Sequence, residues 1–245
     1  MHFLVIQHVA VEGLAALAKR FRAASADWTI VDFSRGDTVP ADLTPYDAMI
    51  VMGGPMDVWQ LDRFPWLRQE MDAIRHFVVE LNRPFLGVCL GHQLLAETLG
   101  GGVRPGAVSE VGVHGVELTP AAQSDALLGG CREPLRVFQW HGAEVARLPE
   151  GATLLARSPD CEAQAFRYGR HAWGFQFHVE VEAENIKDWA ELPEYAGSLL
   201  SARGEEGLAA MLSEIAEAAP ELAALVDEIG NRFCIAVEAA KSRAA

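Results

Sequence analysis

Short apolar runs alternate with amphipathic stretches through the first part of the chain. His2 to Gln7, Tyr46 to Met52 and the run Phe85-Leu86-Gly87-Val88 after Pro84 read as strands, largely apolar and bounded by turn residues, and Trp28 to Phe33 as a further β-rich run. Glu12 to Ala24 and Phe64 to Leu81 carry helical periodicity, the second with Pro65 in its first turn, and Ser34 to Pro45 reads as loop. Leu90, Leu94, Leu95 and Leu99 recur at helical spacing before Gly100-Gly101-Gly102, a strong helix stop. Strands alternating with helices predict an α/β fold with a mostly parallel central sheet and helices on both faces.

The texture then changes. Val111 to Leu118, Leu135 to Trp140, Ala152 to Ser158 and Ala163 to Tyr168 are strand-like runs with little room for helices between them. They predict an antiparallel strand insertion, with Ser124 to Leu128 as a short helix. His171 to His178 is the last strong strand. From Glu182 onward the pattern is helical and Ala-rich, with breaks expected near Pro193, Gly204 and Pro220. The expected organisation is one α/β domain over residues 1–190, followed by a C-terminal helical extension over 191–245. That extension packs on the domain or on a second copy of the chain, which would make a homodimer.

Composition narrows the function. A net charge of −14 over 245 residues argues against a nucleic-acid partner, which needs clustered Lys and Arg. The four cysteines, without C-x-x-C or zinc-type spacing, form neither a disulfide framework nor a metal site. The chain starts directly on a strand, without a basic leader, and no apolar run approaches the ~20 residues that span a bilayer. A cytoplasmic protein with free thiols, no membrane segment, no metal and no cofactor is expected.

The chemistry is carried by Gly87-Val88-Cys89-Leu90-Gly91, where the fourth apolar run meets the next amphipathic stretch. Glycine two positions away on either side permits a sharp strand-to-helix turn, a nucleophile elbow with sulfur in place of the usual serine oxygen. Thiols at helix starts face the positive end of the helix dipole and free N–H groups, which favour the thiolate. The same motif also suits a small buried residue in a tight turn. Gly53-Gly54-Pro55 ends the third strand, so it and Cys89 can line one crevice at the carboxyl edge of the sheet. Late in the chain, His178 and Glu180 stand two residues apart, the i and i+2 spacing that shares a face in an extended chain. A thiol nucleophile needs a base such as histidine, and a carboxylate fixes the base's tautomer.

Four motifs together make the chain resemble the class I glutamine amidotransferases, the Cys-His-Glu glutaminase family. It is most similar to stand-alone members related to the glutaminase domain of GMP synthase. The motifs are Val51-Met52-Gly53-Gly54-Pro55-Met56, Gly87-Val88-Cys89-Leu90-Gly91-His92-Gln93, Gln139-Trp140-His141-Gly142 and Phe175-Gln176-Phe177-His178-Val179-Glu180, in family order over roughly residues 1–190. The resemblance implies Cys89 as nucleophile, His178 as proton carrier, Glu180 as its orienting partner, and the N–H groups of Gly54 and Leu90 as oxyanion hole. It implies Gln93 and the backbone around Trp140 and His141 as contacts to the amino-acid end of glutamine. The chain departs from the family at Val179, where many members have proline, and at Ala143, where many have aspartate; Glu144 follows one position on.

The leading function implied is a glutaminase that releases ammonia to a separate acceptor synthase. A γ-glutamyl peptidase would use the same triad on γ-glutamyl peptides or conjugates, and a regulatory domain would keep the fold without turnover. His8, near the end of the first strand, either lines the crevice or is a structural loop histidine. His92, His114 and His171 read as packing or solvent residues, Cys131, Cys161 and Cys234 as free buried thiols, and Trp59 and Trp66 as a lid or as packing.

Overall fold

The computed structural model describes residues 1–244. Five strands form the parallel part of the sheet: β1 (His2–Gln7), β2 (Asp27–Asp32), β3 (Ala48–Val51), β4 (Phe85–Val88) and, far along the chain, β9 (Ala172–Phe175). Between β4 and β9 lie β5 (Gly102–Leu118), β6 (Leu135–Arg147), β7 (Ala152–Arg157) and β8 (Ala165–Tyr168). The order is β2-β1-β3-β4-β9-β8-β7-β5-β6, parallel from β2 to β9 and antiparallel from there on. The expected α/β architecture, with a parallel centre and an antiparallel insertion, is the observed one.

The alternation of side chains along each strand sorts the core into two faces. Phe3, Val5, Ile50, Leu86 and Val88 pack with α1 (Ala15–Ala23) and with Ile229 and Phe233 of the last helix. Leu4, Ile6, Met49, Val51 and Phe85 pack on the other face with α2 (Trp66–Arg75) and α3 (Leu90–Thr98). Strands buried on both faces read as continuous apolar runs, which is why the sequence pattern marks them. A third cluster joins Val111, Phe138 and Trp140 of the β5–β6 ribbon to α4 (Ala183–Ala190), α5 (Pro193–Arg203) and the first half of α6 (Gly207–Ala244).

Several boundaries move for physical reasons. The helix expected from Glu12 begins only at Ala15, and Glu12 is a fully buried loop residue. The second helix starts at Trp66, with Pro65 as its cap, and passes into a π-helical turn over His76–Glu80. β5 begins at Gly102 and β6 runs on to Arg147, because the two pair as one long ribbon past the point where their alternation fades. Ser124 to Leu128 is no helix; a 3-10 turn spans Pro120–Ser124 instead. Pro220 does not break α6. Met211, Ile215 and Ala218 before it are buried in one cluster, and Val226 and Phe233 after it in another. Packing along both halves thus outweighs the lost hydrogen bond. Among the described residues no helix is long and apolar enough to cross a membrane.

Candidate active site

Cys89 sits between the last residue of β4 and the first of α3, with φ 50° and ψ −102°. A non-glycine residue in that region costs on the order of 1–3 kcal/mol and persists only where its surroundings impose it. They do so here: the Cys89 N–H donates to Phe175 O at 2.8 Å, and its carbonyl accepts from Gln93 N at 3.1 Å. Added side chains at Gly87 or Gly91 would overlap the backbone of Gly91 or Val51, so both glycines are dictated by close approach.

β9 ends at Phe175, so His178 and Glu180 lie beyond the strand rather than in it. His178 is held by its own N–H, which donates to Phe138 O at 2.9 Å. Its Nδ1 lies 2.8 Å from Glu180 Oε1, both side chains being fully buried. Burial alone would push the imidazole down. The charges of Glu180 and Cys89 and the hydrogen bond to Glu180 outweigh it and hold His178 well above 6.5. Phe138, Trp189 and, behind them, Trp140 and Tyr195 wall the ring from water. Thiol, imidazole and carboxylate therefore stand in series in a desolvated corner.

The Gly53–Gly54 loop crosses in front of them. A Cβ built on Gly53 would meet Glu12 Oε2, His178 Cε1 and the Cys89 Cβ; one on Gly54 would lie 3.1 Å from Leu90 Cδ2. Gly54 and Leu90 are thus neighbours, and Leu90, first residue of α3, carries one of the N–H groups a helix leaves free. A cleft opens beside Cys89, lined by Gly54, Gln93, Trp140, His141 and Ala143 on one side and by Glu194, Tyr195 and Ser198 of α5 on the other. Gln93 Nε2 donates to Ala143 O at 3.2 Å and Gln176 Oε1 at 3.1 Å, and Gln176 Nε2 reaches the Cys89 sulfur at 3.7 Å.

Three site residues lie outside what the sequence pattern marks. Gln176 belongs to one of the four motifs but has no part assigned by it. Tyr195 belongs to α5, whose docking no local pattern announces. Glu12 reads from sequence as the first turn of a helix. Its carboxyl accepts the Tyr195 hydroxyl at 2.6 Å, while Oε2 is buried without a partner beside Gly53. Burial raises Glu12 from 4.5 to about 7, partly offset by His178 and by the Tyr195 hydrogen bond. A raised carboxyl stabilises the fold while protonated, fully below about 4.5, and that contribution is lost as pH climbs through 7. Glu12→Gln, which stays neutral, is expected to be more stable than the parent at pH 8, by up to about 3 kcal/mol. The gap should close towards pH 5. Urea unfolding at both pH values checks this; an equal gap at both would rule out Glu12 as its source.

A second grouping, Glu110, His141 and Cys161, brings ligand-type atoms within 4.8 Å of one another, the one such group among the described residues. Glu110 is already engaged within the protein. Ser158 Oγ (3.0 Å) and Gln164 Nε2 (2.7 Å) donate to Glu110, and His141 Nε2 lies 3.1 Å from it. Burial pushes the Cys161 thiol up to about 12. The network fixes β6 behind Trp140 and His141. His92 is fully buried and pushed down to about 3 by burial, a packing residue against Gly174. Cys131 and Cys234 are buried and raised to about 11 by burial. Trp66 stacks on Phe33 and His8, whereas Trp59 is 45% exposed.

The family model for glutamine amidotransferase class I matches residues 13–188. The chain belongs to that family. It is 31% identical over 192 residues to a glutamine amidotransferase-like protein of Salmonella typhimurium, covering 76% of this chain and 78% of the relative. It is 35% identical over 143 residues to a glutamine-hydrolysing GMP synthase subunit of Sulfolobus acidocaldarius, covering 58% and 71%. Among solved structures, a glutamine amidotransferase from Thermotoga maritima superposes with a TM-score of 0.83 at 31% identity, over 96% of this chain and 98% of that one. The fold and the family are those the motifs imply, and the chain is an enzyme of the hydrolase and amidotransferase kind.

Proposed function

We propose that the chain hydrolyses the side-chain amide of glutamine through a γ-glutamyl thioester on Cys89 and releases ammonia for a separate acceptor enzyme. The observation that carries this is the series Cys89, His178, Glu180. An elbow holds the sulfur out of regular backbone geometry, and Nε2 of the facing imidazole is buried with no hydrogen-bond partner of its own. Nδ1 of the same ring is tied to Glu180.

In this reading His178 holds the proton given up by the Cys89 thiol while the sulfur attacks the amide carbon. The carbonyl π electrons move to oxygen, and the N–H groups of Gly54 and Leu90 receive the oxyanion. His178 then returns the proton to the departing nitrogen, giving ammonia and the thioester. A water molecule, deprotonated by His178, attacks the thioester and releases glutamate. Glu180 keeps the imidazole in the tautomer that presents Nε2 to sulfur. Gln93 and the Trp140–His141 backbone grip the glutamyl end. The acceptor would be a synthase on another polypeptide, as the name of the Sulfolobus acidocaldarius relative implies for its own enzyme.

One observation favours a second reading. The far wall of the cleft is built by Glu194, Tyr195 and Ser198, which lie beyond residue 188 where the family model ends. With Ala143 in place of the usual aspartate, that wall suits a γ-glutamyl peptide or conjugate as well as free glutamine. The test is release of ammonia or amine from the purified chain, across glutamine and a panel of γ-glutamyl dipeptides. It is combined with mass mapping of a diazo-ketone glutamine analogue. Glutamine turnover and an adduct on Cys89 alone are expected. Preference for the dipeptides would establish the second reading, and an adduct on Cys131, Cys161 or Cys234 would overturn both.

A further inference from the structure

His8 follows the last residue of β1 and is buried, 1% exposed. Its Nδ1 lies 2.7 Å from Gly53 O, and its Nε2 lies 3.0 and 3.1 Å from the two oxygens of Glu70, itself fully buried in α2. The Gly53 carbonyl only accepts, so Nδ1 carries hydrogen, and a Glu70 carboxylate accepts from Nε2: the pair reads as an imidazolium beside a carboxylate. Trp66, one helical turn before Glu70 on the same face of α2, stacks on the ring at a centroid distance of 5.5 Å and an interplanar angle of 25°. An aromatic face is a favourable surface for a cation. Burial alone would lower His8, but Glu70, the Gly53 carbonyl and, more distantly, Glu12 outweigh it and hold the ring above 6.5.

The carbonyl that His8 holds belongs to the peptide whose other half is the Gly54 N–H. A peptide is planar, so a hydrogen bond that fixes the direction of Gly53 C=O also fixes the opposite direction of Gly54 N–H. Drawing electron density toward the Gly53 oxygen also makes that N–H a stronger donor. His8 packs directly against the turn as well: a Cβ on Gly54 would lie 2.9 Å from His8 Cβ and 3.2 Å from His8 Cγ.

We propose that His8, charged by Glu70, is a positioning residue that orients and polarises the Gly53–Gly54 peptide so that its N–H receives the oxyanion. This rests on the amide-hydrolase reading of the site and adds to it a cation behind the oxyanion hole. His8 touches neither substrate nor sulfur, so its removal weakens only what forms at the transition state.

The experiment compares His8→Ala, His8→Asn, His8→Gln and Glu70→Gln with the parent. Three quantities are read: kcat and KM for the best substrate of the panel, the rate of Cys89 alkylation by iodoacetamide, and affinity for glutamate γ-semialdehyde. With this aldehyde the thiolate sulfur bonds to the carbonyl carbon and the π electrons become an alkoxide, which occupies the oxyanion position without turnover. Loss of one oxyanion donor lowers kcat by roughly 10²–10³-fold in other hydrolases. His8→Ala is expected to lose about 10²-fold in kcat and a comparable factor in aldehyde affinity, with KM and alkylation within about threefold. Asn presents an N–H near the Nδ1 position and should recover most of the loss, whereas Gln presents one near Nε2 and should not. Glu70→Gln should fall between His8→Asn and His8→Ala. If His8→Ala does not fold, the Asn and Gln pair makes the same discrimination. Equal aldehyde affinity in all variants, equal losses for Asn and Gln, or a parallel loss of alkylation would overturn the proposal. A parent that neither turns over any substrate nor binds the aldehyde would instead overturn the hydrolase reading on which it rests.

Discussion

Replacing His178 with alanine is expected to lower kcat for glutamine by more than about 10³-fold, while Glu180→Gln retains roughly two orders of magnitude more activity. The difference follows from position. His178 Nε2 is the base-capable atom left without another partner at the sulfur, and no second histidine can replace it: His8 is tied to Glu70 and Gly53, and His141 to Glu110 and Ala143. Glu180 acts through the ring, fixing Nδ1 and favouring its charge, and a glutamine there can still accept from Nδ1 with its carbonyl oxygen. Both side chains are fully buried, so a variant that strips one partner leaves the other unpaired, at a cost of about 3–5 kcal/mol. Initial rates therefore need to be read beside the urea midpoint of each variant. His178→Gln is a gentler companion that fills the space without a usable base. Folded His178 variants that turn over glutamine at the parental rate would mean the histidine is not the proton carrier.

What the sequence made legible was local or binary. The strands of the parallel centre stood out because burial on both faces leaves an uninterrupted apolar signature, and β1 runs over the residues the pattern marks. The elbow was legible because the turn demands glycine at both flanks, and the structure brings Cys89, His178 and Glu180 into one buried corner. The surroundings of that corner were not legible. Glu12 sits among residues of helical periodicity, yet its side chain belongs to Tyr195, far along the chain, by a hydrogen bond that no local pattern encodes. The charge on His8 depends on Glu70, presented by a helix whose register against β1 is fixed only by packing. Pro220 misled because propensity is a weak local preference, while α6 is held along both halves by two separate cores. Residues acting through backbone geometry announce themselves in the sequence; residues acting through a tertiary neighbour do not.

Gly91→Ala is expected to destabilise the fold by about 3 kcal/mol and to cost more than about 10²-fold in turnover, although the change adds one methyl group far from solvent. Gly91 lies in the first turn of α3, and a Cβ there would overlap the carbonyl oxygen of Val51, with Val51 Cβ 2.9 Å away. The obstacle is backbone in a strand that pairs with neighbours on both sides, so it cannot turn aside as a side chain could. Relief requires α3 to lift from the sheet or β3 to bend. α3 carries the Leu90 N–H and Gln93, and β3 leads into Gly53 and Gly54, so either movement displaces one wall of the cleft. Gly100→Ala separates this steric effect from glycine's backbone freedom. Gly100 has φ +83° but nothing within 4 Å of an added Cβ, so its cost is only the left-handed strain of about 1–2 kcal/mol. It stands at the far end of α3 and should leave kcat near the parental value. Urea midpoints and initial rates for the two variants supply the comparison. A Gly91→Ala protein as active as Gly100→Ala would mean that α3 can shift against β3 without disturbing Cys89, and that the close approach of helix to strand is not what holds the elbow in its geometry.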